Sequence, residues 1–222
     1  MRLRAPHRNR PVRLSDRRRG DPAELDRAVL RGAQTEANRR AFLASLPPRY
    51  GRYATTPVPA QVLAANPELR AKLERMTPQG FLYLTGEADA AKTHLAVRQA
   101  LHLTEGGGSA LFVDETDYFA RVFAEFGGGP PAPDLLAPDV LVYDDLGKQK
   151  PSEFALQKLY HLLEMRWSHE KALIVTSNFT PREVVARLTD DEVVGHAIYS
   201  RLMAGQLAGI RRGAGGRQGS AL

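Results

Sequence analysis

Between Gly80 and Ile210 the chain alternates short apolar runs of strand length with longer segments whose apolar residues recur at helical spacing. That alternation restricts the fold more than any other feature. A strand that is apolar along its whole length must be covered on both faces, and helices placed between successive parallel strands supply the cover. Strands are predicted at residues 81–85, 110–114, 140–144, 172–176 and 206–210, with helices at 92–103, 116–126, 152–169, 181–188 and 193–204. The expected class is α/β, a parallel five-stranded sheet with helices on both sides.

Upstream, Asp21-Pro22 reads as an N-cap followed by proline at the first helical position. It opens a helix that carries Leu25, Val29 and Ala33 toward Phe42 and Leu46, either continuous or broken near Gly32. Pro47-Pro48 stops it, and Pro57 and Pro59 rule out a regular helix or central strand across residues 49–59. Asn66-Pro67 begins a further short helix with Leu69 and Leu73, and residues 127–131, three glycines and two prolines, form a flexible break. The chain thus divides into an arm at 1–20, a helical segment at 21–46, a core at 47–211 and a disordered Gly-rich tail at 212–222.

The net charge of +6 is unevenly placed. Residues 1–20 hold eight arginines against the single acid Asp16, a balance of +7, which leaves the other 202 residues near −1. The arm reads either as a solvated tail or as a phosphate-binding segment, since clustered guanidinium groups neutralise nucleic-acid charge without needing a fold. The chain has no cysteine, which removes disulfides and thiolate metal sites. No apolar run approaches the ~20 residues that cross a bilayer, and no secretory h-region follows the N-terminal methionine. The expectation is a cytoplasmic protein with no membrane partner.

A phosphate loop needs a strand, a glycine-rich turn whose backbone N–H groups face the anion, and a helix that opens with Lys and Ser/Thr. The chain supplies the strand at 81–85, then Gly86, Lys92 and Thr93 at the spacing of G-x-x-x-x-G-K-[ST], with Ala91 in place of the second glycine. In this reading Gly86, Ala91, Lys92 and Thr93 surround the phosphates of ATP. Lys92 reaches the β- and γ-phosphates, and the Thr93 hydroxyl ligates Mg²⁺. Where the turn needs φ > 0, the alanine Cβ costs about 1 kcal/mol or meets the phosphate. Glu87 and Asp89 bring carboxylates into a loop meant for an anion. Weakened nucleotide affinity is the expectation, and an ordinary strand-turn-helix is the alternative.

The strand at 140–144 ends in Asp144-Asp145, 52 residues after Lys92, the form of a Walker B element. Asp144 would hold the Mg²⁺ shell, and Asp145 would act as general base toward a water attacking the γ-phosphate. The next strand ends in Thr176-Ser177-Asn178. Asn178 offers a donor and an acceptor to that water, or serves as a turn residue ahead of Pro181. Arg201 would project from the domain edge into a neighbouring subunit's site, or form a surface salt bridge.

Together, residues 84–96, the block Val-Leu-Val-Tyr-Asp-Asp-Leu-Gly-Lys at 140–148, Ile-Val-Thr-Ser-Asn at 174–178 and Ser200-Arg201-Leu202 resemble the DnaC/IstB-like ATPases of the AAA+ superfamily. Leu46-Pro-Pro-Arg-Tyr50 looks like the start of the loader ATPase core, and the resemblance covers roughly residues 46–211. It implies a three-layer P-loop NTPase fold with strand order 5-1-4-3-2 and no C-terminal lid domain. It also implies ATP-dependent self-assembly into a homo-oligomer, Asn178 as sensor 1 and Arg201 as a trans-acting arginine finger. The implied partners are a replicative DNA helicase and single-stranded DNA, the latter through the helix after the second strand, with Tyr118, Phe119 and Arg121. Aromatic and arginine side chains stack on bases, although Tyr118 and Phe119 equally suit a core. The expected function is a helicase loader or replication accessory ATPase. The alternatives are an adaptor of the same fold without ATP turnover and the helper ATPase of a transposition system.

Overall fold

A computed structural model describes residues 22–131 and 134–213. The arm at 1–20, the Asp21 cap and tail residues 214–222 lie outside the described residues. Five strands, β1 (Phe81–Thr85), β2 (Ala110–Asp114), β3 (Val140–Asp144), β4 (Ala172–Ser177) and β5 (Gln206–Gly209), pair in parallel in the order β2-β3-β4-β1-β5. Read from the opposite edge this is 5-1-4-3-2, the order that the resemblance implies.

The helices are α1 (Pro22–Ser45), α2 (Ala60–Ala65), α3 (Leu69–Glu74), α4 (Lys92–Leu103), α5 (Glu115–Phe126), α6 (Glu153–Ser168), α7 (Pro181–Leu188) and α8 (Glu192–Leu202). Side chains alternate across each strand, so the sheet divides the core in two. Leu82, Leu84, Val140, Val142 and Ile174 pack on one face with α4 and the end of α1. Tyr83, Leu141, Tyr143, Leu173 and Val175 pack on the other with α5, α6, α7 and α8. Leu159, Leu162 and Leu163 of α6 are at most 3% exposed, and burial of each stabilises the chain by about 1.5–3 kcal/mol.

The structure decides two points about the N-terminal part. First, α1 runs unbroken through Gly32, around which a Cβ would meet nothing within 4 Å. A glycine in an open helix interior costs about 1 kcal/mol relative to alanine, which lowers stability without breaking the helix. Second, residues 49–59 are not irregular throughout. A 3-10 helix spans Pro48–Ala54, and α2 starts directly after Pro59, which occupies the N-cap position and owes the helix no N–H bond.

Parallel pairing places the C-terminal ends of β1, β3 and β4 side by side, with Thr85 opposite Ser177 and Tyr143 opposite Val175. The phosphate-loop segment, the paired aspartates and the Thr-Ser-Asn segment therefore meet at the C-terminal end of the sheet.

Candidate nucleotide site

The turn from β1 into α4 is shaped by backbone that most side chains avoid. A Cβ at Gly86 would lie 2.2 Å from the carbonyl oxygen of Ile210, so only glycine fits between β1 and the chain leaving β5. Ala91 is the N-cap of α4 and has φ 64°, in the left-handed region, as has Asp89 at φ 60°. The second-glycine position thus has the conformation that the loop pattern requires, with a methyl group on it. That conformation costs an L-residue about 1 kcal/mol. Glu87 and Asp89 both face solvent, and Asp89 lies 3.6 Å from the Arg212 guanidinium.

Lys92 opens α4 and is nearly buried. Its Nζ donates to the carbonyls of Gly86 at 2.8 Å and Glu87 at 2.7 Å and to Asn178 Oδ1 at 2.7 Å. Burial pulls the ammonium below the usual lysine range, while the Asp145 and Asp144 charges pull it back up. The fold therefore joins the phosphate-loop lysine to the sensor position 86 residues away.

Behind them Thr93 Oγ1 donates to Asp144 Oδ1 at 2.9 Å, and Thr176 Oγ1 donates to the same oxygen at 2.7 Å. Asp144 Oδ2 is buried with no hydrogen-bond partner. Burial pushes the Asp144 carboxyl up to about 6, with help from the Asp145 charge and against the two hydroxyl donors. Carboxylate oxygens of Asp114, Asp144 and Asp145 lie within 4.8 Å of one another. An unpartnered buried carboxylate oxygen beside a threonine hydroxyl and two further carboxylates is a set of hard oxygen donors, and it fits Mg²⁺.

Asp145 stands at φ 63° at the end of β3. Its N–H donates to Thr176 Oγ1 at 3.0 Å, and its Oδ2 accepts from Lys148 Nζ at 2.6 Å. Thr176, Lys148 and Glu115, which grips the backbone of residues 147–149, are site residues that the sequence reading did not single out. The signals were present: a hydroxyl breaking the apolar run of β4, a lysine three residues after an aspartate in a turn, and an acid directly after Asp114.

The cavity over this group measures about 620 Å³ and reaches the 3-10 helix at Pro48–Ala54. Tyr53 stacks on His94 with centroids 4.5 Å apart and on Tyr50 at 5.3 Å, while the Arg49 guanidinium covers Tyr50 at 4.5 Å. Aromatic faces on one wall and a phosphate loop on the other suit a nucleotide's base and phosphates. A second cavity of about 710 Å³ lies at the opposite end of the sheet, beside Gly80, Glu170 and Gly205, away from these groups.

The remaining sequence-derived positions lie elsewhere. Arg201, on α8, pairs with both carboxylate oxygens of Glu164 at 2.6 and 3.2 Å and stacks 4.0 Å over Trp167. Both partners belong to the last turns of α6, at the end of the sheet where β4 begins, so Arg201 does not join its own chain's nucleotide site. Tyr118 and Phe119 are corrected as exposed base-stacking residues. They are 5% and 7% exposed, and Tyr118 meets Tyr143 edge-on at 6.0 Å in the core. With Val122 they form the stripe that holds α5 on the sheet, whereas Arg121, Phe123 and Phe126 face solvent.

Residues 69–206 match the family described as IstB-like ATP binding protein. Among solved structures, the DnaC helicase loader is 24% identical with a TM-score of 0.58, over 74% of this chain and 100% of that one. DnaI is 20% identical with a TM-score of 0.58, over 75% and 95%. The replication initiator DnaA bound to AMPPCP and single-stranded DNA is 19% identical with a TM-score of 0.55, over 74% and 50%. These likenesses show a common fold. No curated protein matches the chain.

Proposed function

The chain belongs to the IstB-like ATP-binding family, and from that premise we propose that it is a self-assembling ATPase that acts on single-stranded DNA beside a replicative helicase. The observation that carries the nucleotide chemistry is the joined group Lys92–Asn178 and Thr93–Asp144–Thr176, drawn from three segments onto one end of the sheet.

In this reading Lys92 exchanges its bonds to the Gly86 and Glu87 carbonyls for the β- and γ-phosphate oxygens. Asp145 accepts the proton of a water as its oxygen bonds to the γ-phosphorus. The bond from that phosphorus to the bridging oxygen breaks, and the electron pair leaves with ADP. Asn178 orients the water. Thr93 and Asp144 are the residues that would hold Mg²⁺, which when bound neutralises phosphate charge. Arg201 of one subunit would serve a neighbour's site, because it lies at the end of the sheet away from its own. The solvent face of α5, with Arg121, Phe123 and Phe126, would meet single-stranded DNA by stacking. The fold shared with a helicase loader and with a DNA-bound initiator supports this partner class.

Titration of ATP with and without Mg²⁺ tests the reading. Lys92→Ala should weaken nucleotide binding more than about tenfold, in line with the loss of a charged hydrogen bond, and unchanged binding would overturn it. The left-handed Ala91 favours a second reading, an adaptor that keeps the contacts and has lost turnover. Binding weaker than about millimolar, with DNA or helicase contacts intact, would establish it.

A further inference from the structure

Glu115 is the first residue of α5, yet it is 0% exposed, and its side chain turns away from its own helix. Its Oε1 accepts from the Gly147 N–H at 2.9 Å, and its Oε2 accepts from Lys148 N–H at 2.8 Å and, at longer range, Gln149 N–H at 3.4 Å. The end of α5 does not need it for capping, because Asp114 already accepts from Thr116 N–H at 2.9 Å. Nor does packing need it, because Tyr118, Phe119 and Val122 anchor the helix. A desolvated carboxylate is costly unless its oxygens are fully engaged, and among the described residues they are engaged only by the segment that follows Asp144-Asp145.

That segment is clamped from the other side as well. Leu146 N–H donates to Thr176 O at 2.9 Å, Ser177 Oγ donates to Leu146 O at 2.7 Å, and Arg187 Nε donates to Gly147 O at 2.7 Å. Lys148, whose N–H is in the grip of Glu115, sends its Nζ 2.6 Å from Asp145 Oδ2. The Glu115 carboxylate thus sets where Lys148 begins, and Lys148 sets how Asp145 is held. Charge-assisted bonds of this length do not survive a shift of an ångström or so, so a movement of α5 would be felt at Asp145.

We infer that Glu115 is a positioning residue that couples the outer face of α5, when single-stranded DNA stacks on Phe123 and Phe126, to the placement of Lys148 on Asp145. This rests on the reading of Asp145 as the general base of ATP hydrolysis and of the outer face of α5 as the one that meets single-stranded DNA. Glu115 does not line the nucleotide cavity and acts through the backbone of residues 147–149.

The test compares the full chain with Glu115→Gln, which keeps the shape and loses one acceptor oxygen and the charge. Turnover of ATP is measured with and without an oligothymidylate, and amide hydrogen exchange is followed at residues 147–149 and, as a control for folding, along β4. In the variant, KM and oligonucleotide affinity should stay within about twofold, while the oligonucleotide-dependent change in kcat falls at least about fivefold. Exchange at 147–149 should quicken at least about tenfold, with β4 unchanged. A variant that responds to the oligonucleotide as the parent does, or exchanges as slowly at 147–149, overturns the coupling. So does a parent whose kcat and exchange at 147–149 both ignore the oligonucleotide. A parent with no turnover defeats the ATPase reading alone, because oligonucleotide-dependent exchange at 147–149, present in the parent and lost in the variant, still decides the coupling. If Glu115→Gln unfolds, Glu115→Asp, which withdraws the charge by one methylene, carries the same expectations.

Discussion

At Ala91 the backbone adopts φ 64°, where glycine is at ease and alanine is strained. Ala91→Gly relieves about 1 kcal/mol in the folded chain, but the freed unfolded chain takes back about 0.4–1 kcal/mol. The melting temperature without nucleotide should therefore hardly move. Nucleotide affinity and turnover should rise several-fold, since the Cβ no longer competes with a phosphate for the loop, and a variant with unchanged affinity would show that the methyl group stands clear. Asp144 makes a separate prediction about pH. Burial raises its carboxyl from 3.8 to about 6 in the folded chain, so between those values the folded state holds a proton that the unfolded state has lost. Its contribution to stability is complete below the lower value and disappears as pH rises through the upper one, an effect of up to about 3 kcal/mol. In EDTA, urea unfolding should show that Asp144→Asn narrows the stability difference between about pH 5 and pH 7.5. The same slope in the variant would place the proton elsewhere.

Helix α1 is two elements in energetic terms. Its C-terminal end packs Phe42 at 1% exposure into the core against the sheet face that carries α4, while Val29 and Leu30 stand 64% and 69% exposed. Phe42→Ala should cost about 3–5 kcal/mol in urea unfolding, the usual result of opening a cavity. Leu30→Glu should change stability by less than about 0.5 kcal/mol, because the side chain already lies mostly in solvent. A large loss from Leu30→Glu would mean that the first half of the helix is covered in solution. The amphipathic pattern of α5 shows the same division of labour on a smaller scale. Tyr118, Phe119 and Val122 bind it to the sheet, and Phe123 and Phe126, at 75% and 73% exposure, are left facing outward.

For the molecule as a whole, the nucleotide group and Arg201 lie at opposite ends of the sheet's strands, so under the proposed arginine-finger role a head-to-tail assembly is the geometry that would use both. Lys92→Ala and Arg201→Ala subunits should each be inactive alone, and mixing them should restore part of the ATPase rate at the mixed interfaces. Mixtures as inactive as their parts would return Arg201 to the role of a surface ion pair with Glu164. The alternation of apolar runs and helical periods was enough to place all five strands and the order of chemistry along the chain, because burial on both faces of a parallel sheet leaves a one-dimensional trace. Gly86, Lys92, Thr93, Asp144 and Asn178 were legible for the same reason: each sits at a strand or helix end, where side-chain spacing follows the backbone. The partners of these residues were not legible. That Thr176 shares an oxygen of Asp144 with Thr93, and that Glu115 turns back to grip Gly147, depend on which strand ends become neighbours and on how far a buried carboxylate can reach. Tyr118 and Phe119 went inward because only the packed sheet decides which side of a helix is wet. Local periodicity set the elements, and only the tertiary structure, which brings together groups 30 to 90 residues apart, settled which polar atom satisfies which.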